Sequence, residues 1–232
     1  TSVTANANLF LRKLISYGWM AKPQVKTLES LKQKKVAVTG LGGTVHVAFN
    51  MAVEKAGVNP REFVLVSIAG QQIQQLISLE AGFVDAAVLS PPVTLGAQKK
   101  GFSKVLDVGA MVEMPGGGLT ALAKTIQERP VETKRVIRSL QVAKEEIRKS
   151  KSRTLELIVK LLRMDREAAN DTYDQFLTTL SPTGIPTRIG MEILVKSVQS
   201  QGRFADRKVN FYDIADDRLA TEVAKEMGYK IP

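Results

Sequence analysis

The sequence predicts an α/β fold: a parallel sheet flanked by helices up to about residue 112, then a mostly helical part. Three observations carry this. Short apolar, β-rich runs alternate with segments of helical periodicity from Val36 to Val108. The runs are continuously apolar, as in strands buried on both faces. Pro115-Gly116-Gly117-Gly118 then marks a joint, after which helical spacing dominates.

Leu14 to Met20 (LISYGWM) is a short apolar run that fits a strand, and Pro23 punctuates it. Tyr17 and Trp19 within it read as core or cleft lining. Val36-Ala37-Val38-Thr39 is a strand, followed by Gly40-Leu41-Gly42-Gly43. From Thr44, taken as the N-cap, Val45, Ala48, Phe49 and Ala52 recur at helical spacing, and Gly57 is the stop. Phe63 to Ile68 is the second strand. Ile73, Leu76, Ile77 and Leu79 mark a helix that ends near Gly82. Val84 to Leu89 is the third strand, closed by Ser90-Pro91-Pro92, and Lys104 to Val108 is the fourth. Leu119 to Ala123 fits one more strand. Helices follow over Val131–Lys149, around Leu155–Leu162, from Asp165 towards Leu177, and from Thr187 to near Gly202; the tail reads as irregular.

Composition removes several classes of function. The 232 residues contain no cysteine, which excludes disulfides, Cys-ligated metal, iron–sulfur clusters and a thiol nucleophile. The single histidine, His46, rules out a His-rich metal site and leaves a Ser-His-Asp triad one possible position. No metal, catalytic group or cofactor is expected. No apolar run reaches the roughly 18 residues of a membrane span. The net charge of +10 admits nucleic acid, an anionic membrane or small anions as partners. The densest basic stretch, Lys134 to Arg153, lies on a predicted helix, is interrupted by Glu145 and Glu146, and lacks interleaved aromatics. It reads as a solvated face, and no nucleic-acid partner is expected.

The loop Gly40 to His46 (GLGGTVH) follows a strand and opens a helix. Unpaired N–H groups at a helix start favour anions, and glycines let the backbone approach a ligand. Val45 stands where a dinucleotide fingerprint needs glycine, and no P-loop lysine is present. The loop is therefore either an anion or polar-ligand site or a tight turn alone. His46 would be neutral at the helix start, either as a donor to a ligand or as a satisfied structural side chain. Gly70-Gln71-Gln72 and Ser90-Pro91-Pro92 fall at the carboxyl ends of two further strands, where open parallel sheets bind ligands.

Three segments carry a family resemblance: Leu28 to Thr44 (LESLKQKKVAVTGLGGT), Ala81 to Pro92 (AGFVDAAVLSPP) and Arg129 to Leu140 (RPVETKRVIRSL). Their order is similar to that in periplasmic substrate-binding proteins of ABC importers. The branch is the nitrate/sulfonate/taurine one, which includes binders of thiamine pyrimidine precursors. The resemblance runs from about residue 14 to near the end of the chain. It implies a two-lobed, type II binding-protein architecture that clamps its ligand in an interlobe cleft. The implied lobes are residues 14–112, and residues 1–10 with 113–232. It implies ligand contacts from Gly42, Gly43, Thr44, Val45, His46, Gln71, Ser90 and Pro91, with Gly117 near the hinge. Departures are visible. A longer N-terminal stretch of the family has no counterpart, so the first lobe is expected to lack its N-terminal part. The family's Gly-Lys-Gly is Lys32-Gln33-Lys34, and its acidic residue before proline is replaced by Ser90. The pyrimidine-synthesis relatives' Gly-Glu-Phe-Gly loop and Cys-rich motif are missing, which argues against synthase activity.

The expected function is solute binding for an ABC importer, without enzyme activity. The partners would be a small anion or polar ligand and a membrane permease. The alternative is a degenerate binding-protein-like sensor or interaction module without a transport role. A periplasmic or extracytoplasmic location follows from the resemblance. The start at Thr1 fits a processed or trimmed chain, with a lipid anchor at a removed N-terminus left open.

Overall fold

The computed structural model describes residues 4–11, 17–112, 114–199, 202 and 204–231. The elements run β1 (Thr4–Leu11), β2 (Gly18–Ala21), β3 (Lys35–Val38), α1 (Thr44–Lys55), β4 (Val64–Ser67) and α2 (Gln72–Glu80). Then come β5 (Ala86–Leu89), α3 (Val93–Lys99), β6 (Ser103–Asp107), α4 (Val108–Met111), β7 (Gly117–Leu122) and α5 (Ala123–Glu128). The rest is helical: α6 (Pro130–Lys149), α7 (Lys151–Leu162), α8 (Arg166–Thr179), α9 (Arg188–Gln199), α10 (Phe211–Ile214) and α11 (Arg218–Glu226). The chain forms two compact units. A sheet unit spans Ile15–Val112 with Glu167–Thr172. A helical unit comprises Thr1–Leu14, Glu113–Arg166 and Tyr173–Pro232.

The sheet unit holds five strands in the order β4-β3-β5-β2-β6. β3 pairs in parallel with β4 and β5, as the βαβ order dictates. β2 departs from the all-parallel expectation: it lies antiparallel between β5 and β6. The first part of its predicted run, residues 14–16, lies outside the described residues. The edge strand β4 also departs, because it is covered on only part of its surface; Val64 is 44% exposed. In the centre, Trp19, Val36, Ala37, Val38, Ala86, Ala87 and Val88 are fully buried. Trp19 stacks on Phe49 of α1 at 4.4 Å between ring centroids, and Phe63 meets both rings edge-on. Asp85 ties the β5 start to β3: its carboxylate accepts from the Lys35 N–H at 3.0 Å, and its own N–H donates to the Lys35 carbonyl at 2.8 Å.

In the helical unit β1 and β7 form an antiparallel pair, so Gly117 and Gly118, read from the sequence as part of a joint, lie in a strand. Leu119 and Ala121 pack on Ile126, Ile137 and Val223. The last of these sits on α11, which replaces part of the irregular tail that the sequence suggests. Lys134 and Arg138 of α6 form ion pairs with Glu222 and Glu226 of α11. Gly190 is required by a close approach: a β-carbon there would stand 2.9 Å from the Pro115 ring.

Lys144 of α6 is fully buried. Its ammonium donates to the Pro182 carbonyl at 3.0 Å and lies 5.0 Å from the Tyr229 ring centroid. Burial, with Arg148 nearby, lowers its pKa to about 8. The unfolded chain, titrating near 10.4, therefore holds this proton more tightly than the folded one. The expected result is that the helical unit gains stability from pH 8 to about 9.5. Lys144→Met should flatten that rise in urea melts followed by far-UV circular dichroism, and parallel curves for the two proteins would reject the assignment.

Candidate functional site

Parallel pairing places the carboxyl ends of β3, β4 and β5 at one edge of the sheet. Because β2 runs the other way, Tyr17 and Gly18 at its start come to the same edge, as does Asp107 at the end of β6. Loops after β3, β4 and β5 therefore gather Gly42, Gly43, Thr44, Val45, His46, Gln71, Ser90 and Pro91 at one end of the sheet unit. Gly117 lies in β7 of the helical unit, in register with Leu11.

The β3–α1 loop turns through Gly42 at φ +78°, a left-handed conformation that favours glycine. Gly43, extended at φ −77° and ψ 169°, is the N-cap of α1. Thr44 is thus the first helical residue, which corrects its reading as the cap. The cap carbonyl of Gly43 accepts from the Val47 N–H at 3.1 Å. The N–H groups of Thr44, Val45 and His46 fall in the first turn and have no intrahelical acceptor, so they present donors with partial positive charge.

His46 closes this turn onto itself. Its Nδ1 accepts from the Gly42 N–H at 2.7 Å, which leaves the proton of the neutral ring on Nε2. The Asn50 amide lies 3.3 Å from Nε2 and can turn its oxygen to accept from it. Burial lowers the His46 pKa, and protonation would break the Gly42 contact. The ring is a neutral brace for the glycine loop. The folded value is depressed, so its stabilisation is present above about pH 6.5 and lost as pH falls through the folded value. The single imidazole should titrate below the usual histidine range in an NMR pH series; a midpoint at or above about 6.5 would contradict the brace.

The second and third loops are joined by Gln72, not by Gln71. Gln71 is exposed and serves as the N-cap of α2 without a side-chain cap. Gln72 Oε1 accepts from both the N–H (2.6 Å) and the hydroxyl (3.0 Å) of Ser90. The Tyr17 hydroxyl lies beside Ser90 and Gln72, and burial raises its pKa. With the Gln72 oxygen committed, its amide N–H₂ is held in a fixed direction. A cis peptide joins Pro91 to Pro92 directly after Ser90. Beneath this network Gln75 Oε1 and Thr94 Oγ1 are buried without a partner among the described residues.

No lysine or arginine occurs in residues 39–46, 68–72 or 90–94. The edge offers neutral donors: helix-start amides, the Gln72 amide and hydroxyl groups. Asp107 is already committed; it pairs with Lys104 at 2.8 Å and accepts from the Ala110 N–H at 3.0 Å. Among the described residues no group of three His, Cys, Asp or Glu could hold a metal, and no helix is long and apolar enough to cross a membrane. Sequence reasoning reads Tyr17 only as core or cleft lining and names Gln71, not Gln72, as the ligand contact of the Gly70-Gln71-Gln72 loop. The one signal for Gln72 was its place in a glutamine pair after Gly70, and a one-residue difference in helix start decides which glutamine joins the network.

A family model described as NMT1/THI5 like matches residues 1–150. No curated protein sequence matches the chain. Among solved structures, the chain is similar to a putative sulfonate ABC transporter periplasmic sulfonate-binding protein, SsuA, from Methylobacillus flagellatus KT. The TM-score is 0.74 at 14% identity, covering 97% of this chain and 69% of that one. The periplasmic nitrate-binding protein NrtA from Synechocystis PCC 6803 gives 0.70 at 13% identity, covering 98% and 68%. The desulfurization enzyme DszB gives 0.64 at 12% identity, covering 97% and 80%. These similarities show the α/β fold of periplasmic binding proteins, a fold that an enzyme shares.

Proposed function

We propose, from the premise that the chain belongs to the NMT1/THI5-like family, that it is the solute-binding component of an ABC-type importer. Its solute is a small organic anion or polar molecule, its partner is a membrane permease, and its place is extracytoplasmic. The observation that carries the reading is the convergence of neutral donors at one sheet edge. N–H groups of Thr44, Val45 and His46 without an intrahelical acceptor stand at the start of α1, and the two Ser90 bonds to the Gln72 oxygen fix a further amide at the same edge. Such a set solvates a small anion without a fixed cation.

The chain binds rather than converts. It has no cysteine, and both ring nitrogens of its one histidine are engaged by its own loop and helix, so neither a thiol nor a free imidazole is poised there as nucleophile or base. The test is a thermal-shift panel of sulfonates, nitrate, pyrimidine phosphates and aromatic carboxylates, with duplex DNA as control. A ligand at about 100 times its Kd adds roughly 2.7 kcal/mol, and one anion class should show that shift. A shift with DNA alone would overturn the reading.

A further inference from the structure

We propose that the exposed face of α7 docks the protein on an anionic lipid surface. α7 packs on α6 with Leu155 as its buried side chain. Yet it carries a second apolar strip away from Leu155: Leu157 and Leu161 are 49% and 70% exposed. Leu157 and Leu161 are one turn apart, about 40° around the axis, and form a continuous ridge. Arg153 and Lys160, both exposed, flank that ridge within about 60° of Leu157. Arg163 follows at the helix end in a left-handed conformation. None of these three cations forms an ion pair with a described residue. From residue 149 to 166 there are six basic residues and two acidic ones.

Leucines beside unpaired cations are the pattern of a helix that lies in a membrane interface, its apolar side chains in the acyl boundary and its cations at the headgroups. A second copy of the chain fits less well, because an α7–α7 contact would bring Arg153 and Lys160 towards their own equivalents. The helix is too short and too charged to span. The inference is independent of the ligand site, since α7 belongs to the helical unit.

The test is flotation of the full chain with vesicles of phosphatidylcholine alone or mixed with phosphatidylglycerol, at low and high salt. Binding is expected on the mixed vesicles only. It should fall about tenfold or more for the Leu157→Ser, Leu161→Ser pair, and several-fold for the Arg153→Gln, Lys160→Gln pair or in high salt. All four positions are exposed, so melting curves should superimpose and separate lost docking from lost folding. Equal binding to both vesicle types, no binding, or insensitivity to both pairs of substitutions would overturn the proposal. So would competition by millimolar glycerol phosphate, which would mark a free-phosphate site, or a dimer that disappears with the leucine pair.

Discussion

Phe49→Ala should cost about 3–5 kcal/mol, the usual range for emptying an aromatic site in a packed core. Phe49 is fully buried, stacks on Trp19 and meets Phe63 edge-on. Its removal leaves a void against an indole whose Nε1 is already buried without a partner among the described residues. The neighbouring rings belong to β2 and the β4 approach, so the void cannot close without shifting the sheet. Trp19 is the only tryptophan, so its fluorescence reports on the sheet unit. Urea unfolding followed by that signal should show the lowered midpoint. A loss below about 1 kcal/mol would mean that the aromatic cluster is not the core that positions α1.

Thr44→Pro should weaken anion binding about 10- to 100-fold while leaving the fold intact. Proline is accepted at the first position of a helix, where its missing N–H has no intrahelical partner. The preceding Gly43, at ψ 169°, already has the extended conformation that a residue before proline adopts. The substitution therefore deletes one backbone donor from the site. A hydrogen bond to a charged group contributes about 1.5–3 kcal/mol, which sets the expected loss. Thr44→Ala keeps the N–H and should weaken binding by less. Calorimetry with the anion identified by thermal shift, beside melting curves for each variant, measures both effects. An unchanged affinity for Thr44→Pro would remove the α1 start from the site.

Local punctuation was readable where one residue type has one mechanical use. The glycines around Gly42 and at Gly57, which takes φ +80°, bracket α1 as expected. Apolar runs located β3 and β5, whose side chains fill the sheet core, and also β4 and β6, which are only half-buried at the sheet edges. The antiparallel insertion of β2 was not readable, since strand direction in a sheet is decided by distant partners. Here Trp19 faces Val88 and Leu106. α11 escaped because its buried stripe is Ala220, Val223 and Ala224, small side chains among many charges. α3 escaped because it is short and begins just after Pro91-Pro92.

The candidate site divides the same way. Its glycine loop and helix start follow from strand–loop–helix order. The cap, however, is Gly43 rather than Thr44, because the backbone begins its helical turn one residue later than the side-chain preference suggests. The Ser90–Gln72 bonds, with Tyr17 beside them, bring together residues from three separate segments, and no local spacing encodes this. His46, which the sequence left between ligand donor and structural brace, is held at both ring nitrogens by its own loop and helix.

The central claim is that a small anion binds at the α1 start beside Gln72. A ¹⁵N–¹H correlation titration with ethanesulfonate, and in parallel with nitrate, tests it most directly. The account expects saturable shifts that are largest at the amides of Thr44, Val45 and His46 and at the Gln72 side-chain N–H₂ for at least one of the two anions. Shifts confined to the basic residues of α6 and α7, or none at all with either anion, would contradict it.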